Sequence, residues 1–254
     1  MSVVAHARQP PAPLSLREVL AVADLQSRTD RKYVVRPDVF AQLVDELGAS
    51  LGVLEIGGIR WFRYESVYFD TPALDSYLGA AHGRRRRFKV RTRTYLDSGD
   101  CMLEVKTRSG RGETVKERMP YDAGRSTSLD AAGLAFVRHH VALPAGAALE
   151  PVLTTAYSRA TYVELATCSR LTCDTGLRCL SPAGASVSLP DELLVETKSA
   201  GGPTDADRFL WRAGARPVAV SKFCVGMAAL DPSLPANKWS RILRRHFGRT
   251  QGEL

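Results

Sequence analysis

The chain has 254 residues, with 35 lysines and arginines against 27 acidic residues and a formal charge of +8. Hydrophobic residues at 44% and charged residues at 24% describe a globular protein, which excludes a disordered chain or a fibrous repeat. No apolar run approaches the ~20 residues of a membrane-spanning helix, and Arg17, Glu18 and Asp24 interrupt the apolar stretch near the start, so neither a transmembrane segment nor a secretory leader is expected.

Residues 1–13, rich in proline and alanine, read as a mobile tail, 248–254 as a second tail, and 14–247 as one domain. Leu16, Val19, Leu20 and Ala23 recur at helical spacing and predict a helix over 14–25. A strand follows over 28–36. Pro37 then opens a helix to Leu47, because proline in the first turn forfeits no hydrogen bond there. From Arg60 onward the pattern is mostly β, with strands expected at 61–69, 84–96, 100–108, 113–121, 152–167, 169–180, 191–200 and 216–224. Turn residues at Asp97-Ser98-Gly99-Asp100 and Ser109-Gly110 mark hairpins. Helices are expected at 128–141, 204–213 and 237–247, the last docking through Ile242, Leu243 and Phe247. Many long antiparallel strands with few helices predict an α+β fold, built on a β-barrel or strongly curved sheet with flanking helices.

The five cysteines, Cys101, Cys168, Cys173, Cys179 and Cys224, include no CxxC pair and read as reduced thiols of a cytoplasmic protein. The spacing of Cys168, Cys173 and Cys179, with no histidine nearby, argues against zinc.

Charge sits in an unusual place in the strands. In the run from Arg84 to Tyr95, alternate positions are Arg85, Arg87, Lys89, Arg91 and Arg93, while Phe88, Val90, Thr92 and Thr94 fall between them. Successive side chains of a strand point to opposite faces, so five cations share one face. A wet face normally mixes signs, because like charges side by side repel. The next strands place Glu104, Lys106 and Arg108 together, then Thr114, Lys116 and Arg118. Later ones align Thr155, Tyr157 and Arg159; Arg170, Thr172 and Asp174; and Glu196 with Lys198.

The cations comprise 28 arginines but only 7 lysines, yet six of the lysines (Lys32, Lys89, Lys106, Lys116, Lys198 and Lys222) fall in these strands. A lysine is a compact point charge that can approach a single phosphate oxygen, whereas arginine is a planar fork. Glu-x-Lys occurs twice, as Glu104-Val105-Lys106 and Glu196-Thr197-Lys198, with each pair on one face. Carboxylates among dense cations suit a site for phosphate chains, in which Mg²⁺ or Mn²⁺ bridges phosphate oxygens. Asp30, two residues before Lys32, and Asp174 offer further carboxylates. Closing such a sheet into a barrel would turn its cationic faces inward around a polyanion.

These residues, taken in order, resemble a known family. Arg28-Thr-Asp30-Arg-Lys32-Tyr33, Ser66-Val-Tyr68-Phe69-Asp70-Thr71, Lys89-Val-Arg91-Thr-Arg93-Thr-Tyr95, Glu104-Val-Lys106, Thr155-Ala-Tyr157-Ser-Arg159, Arg170-Leu-Thr172-Cys-Asp174, Glu196-Thr-Lys198 and Ser221-Lys222-Phe223 look like the VTC domain. That is the polyphosphate polymerase domain of the vacuolar transporter chaperone complex, a triphosphate tunnel metalloenzyme related to the CYTH phosphatases. The resemblance runs from about residue 24 to 247. It implies an eight-stranded antiparallel β-barrel, a tunnel whose basic walls hold ATP and the growing polyphosphate. It also implies transfer of the γ-phosphoryl of ATP to the chain end with a divalent metal, Mn²⁺ or Mg²⁺. By motif position, Lys32, Arg91, Arg93, Lys198 and Glu196 would serve catalysis. Lys106, Lys116, Tyr157, Arg159, Ser221 and Lys222 would contact phosphate by the same match, and Arg87, Lys89, Arg118 and Arg170 by their place on the charged strand faces. Glu196, Glu104 and Asp30 would face the metal, with Asp30 standing where the family usually has glutamate. The SPX domain and membrane helices of the complex are not part of the match, so product translocation is not expected of this chain.

The alternatives are a tripolyphosphatase or nucleoside triphosphatase of the same fold, and a non-catalytic polyphosphate- or RNA-binding module. Arg84–Arg87 alone would also suit nucleic acid, but its continuation as an alternating strand beside carboxylates points away from it. There is no P-loop, GxGxxG, HExxH or nucleophile elbow, so side chains must hold any nucleotide. Oligomeric state has no signature in the sequence.

Overall fold

The computed structural model describes residues 9–22, 29–144, 146–189 and 191–247. The expected tails at 1–8 and 248–254, the end of the first helix at 23–25 and Arg28 lie outside the described residues. The strands are β1 (Ala12–Leu14), β2 (Thr29–Val35), β3 (Leu51–Leu54), β4 (Phe62–Asp70), β5 (Arg87–Tyr95), β6 (Cys101–Arg108), β7 (Thr114–Tyr121), β8 (Glu150–Glu164), β9 (Ser169–Leu180), β10 (Ser186–Leu189) and β11 (Leu193–Ser199). The helices of at least seven residues are α1 (Leu16–Val22), α2 (Pro37–Leu47), α3 (Asp75–Ala81), α4 (Ala131–His140), α5 (Asp205–Arg212) and α6 (Lys222–Leu230). Eight strands are hydrogen-bonded in the order β2-β11-β9-β8-β4-β5-β6-β7. The fold is thus an antiparallel sheet with flanking helices, on the eight-strand path expected.

The chain forms two compact units. The first comprises Met1–Phe62, Tyr157–Leu177 and Leu189–Ala219; the second comprises Arg63–Ala156, Arg178–Ser188 and Val220–Leu254. In the first, the apolar residues of β2, β11 and β9 (Tyr33, Val35, Leu193, Val195, Leu171, Cys173) pack against Phe40, Leu43 and Val44 of α2 and Phe209 and Leu210 of α5. Each fully buried side chain of this size contributes roughly 1.5–3 kcal/mol, so this core fixes which face of the strands turns the other way. In the second, Val67, Phe69, Val90, Leu103 and Val105 of β4, β5 and β6 pack against Val137 of α4. Both cores obey the same rule: odd and even positions along each strand divide into an apolar face under helices and a polar face opposite.

The structure departs from the sequence reading in several places. Residues 216–224 are not a strand. Val218 makes one backbone hydrogen bond to Lys32, and Ser221 then caps α6, its hydroxyl accepting from the Cys224 amide. The Val218/Val220 alternation is too short to outweigh the cap signal and the helical spacing of Phe223, Cys224 and Met227 that follow. Residues 12 and 13, expected in the tail, pair with Gly52 and Val53 in parallel. A side chain at Gly52 would collide with Leu14, which makes this close approach dependent on glycine. The segment 237–247 is not one α-helix but a 3₁₀ turn, a short α turn and a π turn, anchored by buried Trp239, Ile242 and Phe247.

Candidate functional site

The second unit carries a cationic face whose rows are fixed by strand register. Arg91 lies opposite Glu104, and Glu104 opposite Arg118. One row along, Lys89, Lys106 and Lys116 stand abreast on β5, β6 and β7. Beyond them Arg87 faces Arg108. In the rows from Arg87 to Arg93 across these three strands, eight cations (Arg87, Lys89, Arg91, Arg93, Lys106, Arg108, Lys116 and Arg118) share the face with one carboxylate, Glu104. Like charges directly opposite one another destabilise a sheet, so this arrangement is one that an anionic ligand would stabilise.

Glu104 organises the centre of this face. Its side chain is 2% exposed; one carboxylate oxygen accepts from Arg91 at 2.6–2.7 Å and the other from Lys116 at 2.5 Å. Burial pushes its pKa up, but Arg91, Arg93 and Lys116 outweigh burial and hold the carboxyl well below the usual range. Arg91 also donates to the Tyr68 hydroxyl at 3.1 Å, and Arg93 to Ser66 at 3.3 Å. Tyr68 stacks on Phe223 of α6. Lys89 lies over the Phe223 ring at 5.6 Å and donates to the Ser221 hydroxyl at 2.6 Å. Ser221 therefore reaches the face from the start of a helix, not from a strand, and Lys222 is the first residue of that helix. Tyr68 is a residue the sequence reading assigned no role; its alternation with Tyr64 and Ser66 on β4 was the available signal.

The first unit carries a second polar face. Lys32 on β2, Glu196 on β11 and Thr172 on β9 form one row, and Asp30, Lys198 and Arg170 form the next. Glu196 accepts from Lys198 at 2.7 Å and lies 3.8 Å from Lys32. Burial pushes its pKa up, but Lys198, Lys32 and Arg159 together bring it well below the usual carboxylate range. The same burial pushes the Lys198 ammonium down to about 8, against the pull of Glu196. Arg159 makes a two-pronged contact with Asp174 at 2.5 and 2.8 Å and lies over the Tyr157 ring at 5.4 Å. Asp174, a candidate carboxylate in the sequence, is thereby engaged by an arginine.

Behind this face, β11 turns Thr197 inward. Its hydroxyl donates to Asp207 of α5 at 2.7 Å, and Tyr33 of β2 donates to the same carboxylate at 2.6 Å. Both residues alternate with members of the polar face, so Asp207 ties α5 to the two strands that present Lys32, Glu196 and Lys198.

A divalent metal is tested by donor chemistry. No group of three histidine, cysteine, aspartate or glutamate residues is placed to hold a metal among the described residues. The Glu196 side chain is 16% exposed, and Asp30 on β2 lies diagonally from it. Directly opposite Glu196, Thr172 is 3% exposed and its hydroxyl has no hydrogen-bond partner among the described residues. Two carboxylates and an unused hydroxyl are the oxygen donors that Mg²⁺ or Mn²⁺ prefers, with phosphate and water supplying the remainder. These residues fit such an ion. Glu104 is more closed, 2% exposed with a cation at hydrogen-bond distance on each oxygen, whereas the second oxygen of Glu196 is 3.8 Å from Lys32.

Among the described residues no helix is long and apolar enough to cross a membrane. All five cysteines are free thiols, four of them buried.

The family model of the VTC domain matches residues 27–231, most of the chain and segments of both units, and the chain belongs to that family. Solved structures with similar folds include a candidate adenylate cyclase from Bacillus halodurans, 14% identical, covering 77% of this chain and 94% of its own, with a TM-score of 0.49. Another is a candidate adenylyl cyclase from Hippeastrum described as having a dominant triphosphatase activity, 15% identical, covering 78% and 94%, with a TM-score of 0.47. A third, a candidate adenylate cyclase from Vibrio parahaemolyticus, is 13% identical over 74% and 87%, with a TM-score of 0.42. At these identities and scores none of the three bears on function. No curated protein matches the sequence.

Proposed function

We propose that this chain is a metal-dependent phosphotransferase that moves the γ-phosphoryl of ATP onto a polyphosphate chain. The observation that carries the reading is the row of Lys89, Lys106 and Lys116 abreast, flanked by Arg87 and Arg108, with one carboxylate for eight cations on the face. Such a face fits a ligand of dense negative charge, and the VTC family supplies the class, phosphate anhydrides.

Phosphoryl transfer needs in-line positioning and neutralisation of charge on the transferred group, with little covalent help from the protein. Arg91 and Arg93, held by Glu104, Tyr68 and Ser66, supply fixed forks for phosphate oxygens. Lys89, Lys106, Lys116, Arg87 and Arg118 add charge along the chain, and Lys222 with the Ser221 hydroxyl adds a contact at the start of α6. Lys32, Lys198, Arg159 and Arg170, with the Tyr157 ring, act similarly on the other face. Glu104 serves as the anchor of Arg91 and Lys116. Glu196, with Asp30 and Thr172, would hold the divalent ion. When bound, that ion supplies neutralisation of phosphate charge as a Lewis acid. Free thiols suit a reducing compartment and hence a cytoplasmic protein.

Incubation with ATP and Mn²⁺, followed by separation of long polyphosphate from free phosphate, tests the reading. Long polyphosphate is expected. Free phosphate without polymer would assign the triphosphatase direction, and tight binding without turnover would assign a binding module.

A further inference from the structure

The cationic face of the second unit is longer than a triphosphate. Arg93 to Arg87 spans six residues of strand, or ~20 Å, well beyond the length of three linked phosphoryl groups. Past Arg87 the charge continues, as arginine alone. Arg84, Arg85 and Arg86 are exposed in the segment leading into β5, and Arg108 and Arg111 are exposed at the turn joining β6 to β7. The segment is fixed by the Arg84 amide donating to the Gly79 carbonyl at 2.9 Å and by Arg87 donating to the Arg84 carbonyl at 2.8 Å.

The two segments approach each other through their arginines. A Cβ at Gly110 would lie 3.8 Å from Arg86 Nε, and one at Gly112 would lie 3.5 Å from the Arg108 guanidinium. Neither glycine covers those groups with a side chain. Burial lowers the Arg87 pKa, and the neighbouring Arg108 lowers it further, as expected for cations held together. Within residues 82–87 and 108–113 there are six arginines (Arg84, Arg85, Arg86, Arg87, Arg108 and Arg111) against one acid, Glu113, and no Phe, Tyr or Trp.

From this we infer that the arginine rim is a separate subsite for polyphosphate, engaging phosphates beyond the third and conferring preference for long chains. The inference rests on the proposed function, since it extends the same face. The row of Lys89, Lys106 and Lys116 offers point charges for single phosphate oxygens, whereas the cations from Arg84 to Arg87 and at Arg108 and Arg111 are all arginine, whose forks suit a repeating anion in variable register. A face for single-stranded nucleic acid would carry aromatic platforms for the bases, and these segments have none.

The test compares wild type with an Arg85→Ala/Arg86→Ala/Arg111→Ala variant, binding either tripolyphosphate or a polyphosphate of roughly 25 units over a range of salt. The three residues are exposed and outside the inner rows, so tripolyphosphate affinity should stay within about twofold, while long-chain affinity falls about tenfold or more. The salt slope for the long chain should drop by about 2, three lost phosphate contacts at ~0.7 each. Unchanged long-chain binding, or equal loss of both ligands, overturns the inference. So does tighter wild-type binding of an oligonucleotide of equal charge that the variant loses. Failure of wild type to bind tripolyphosphate would instead overturn the proposed function itself, which separates the two.

Discussion

Two glutamates occupy the same Glu-x-Lys pattern on two faces of this protein, and their surroundings differ. Glu104 is sealed: it is 2% exposed, with one oxygen on Arg91 and the other on Lys116. Its pattern lysine, Lys106, stands instead in a row with two other lysines. Glu196 is 16% exposed and takes its own pattern lysine, Lys198, as its nearest cation, with Lys32 at 3.8 Å. Beside it lie a second carboxylate and the unpartnered Thr172 hydroxyl. The lesson is that a repeated motif need not be a repeated function. One copy holds a cation at hydrogen-bond distance on each oxygen; the other has one oxygen so held and the second 3.8 Å from Lys32.

Substitution of each glutamate would sharpen that contrast most. Glu196→Gln should lower turnover roughly 100-fold while leaving tripolyphosphate binding measurable by calorimetry. Full activity in that variant would remove Glu196 from the chemistry. Glu104→Gln should act first on stability, because it leaves two cations facing each other beside a neutral amide. Both cations keep some access to water, so the cost is about 2 kcal/mol, below that of breaking a fully buried pair. In a chain of this length it should appear as a fall of ~4–8 °C in Tm by calorimetry. An unchanged Tm would show that Glu104 does not anchor the face.

Acid should test the same difference. Both carboxyls have folded pKa values below their ordinary value, so each contributes stability that is present above about pH 4.5 and lost as pH falls through the folded value. Glu104→Gln should therefore flatten the acid limb of the Tm-against-pH curve. At the alkaline end, Lys198 loses its proton near pH 8 in the free protein. Tripolyphosphate affinity should weaken as pH rises through about 8, and Lys198→Arg should abolish that step, because guanidinium stays charged. The smallest effect belongs to Thr172→Val, which removes a hydroxyl without a partner and should cost little stability. If that hydroxyl serves the metal, the Mn²⁺ concentration for half-maximal activity should rise severalfold.

How much of this was legible in the sequence depends on whether the signal was local. The cationic alternation of β5 is local, and Arg87, Lys89, Arg91 and Arg93 share a face as expected. That Lys89, Lys106 and Lys116 fall abreast is a matter of register, set by the tight connections β5–β6 and β6–β7, and only the two turn signals hinted at it. The clamp on Glu104 needed the same register. β3 and α3 were missed because four buried residues and a seven-residue helix carry too little periodicity to be seen. The start of α3 is supplied from a distance, by the buried Asp70 carboxylate accepting from the Ser76 and Tyr77 amides. Ser221 caps a helix where a strand is expected, because the alternation of Val218 and Val220 ends there and the cap acts on Cys224, three residues on. Asp207 stayed invisible because its partners, Tyr33 and Thr197, belong to other elements.

The proposed function requires these faces to bind a chain of phosphates. Thermal denaturation with and without tripolyphosphate tests it most directly. Ligand at ~100 times Kd should stabilise the folded state by about 2.7 kcal/mol, which is a rise of ~5–10 °C in Tm. An unchanged Tm at saturating tripolyphosphate would contradict it.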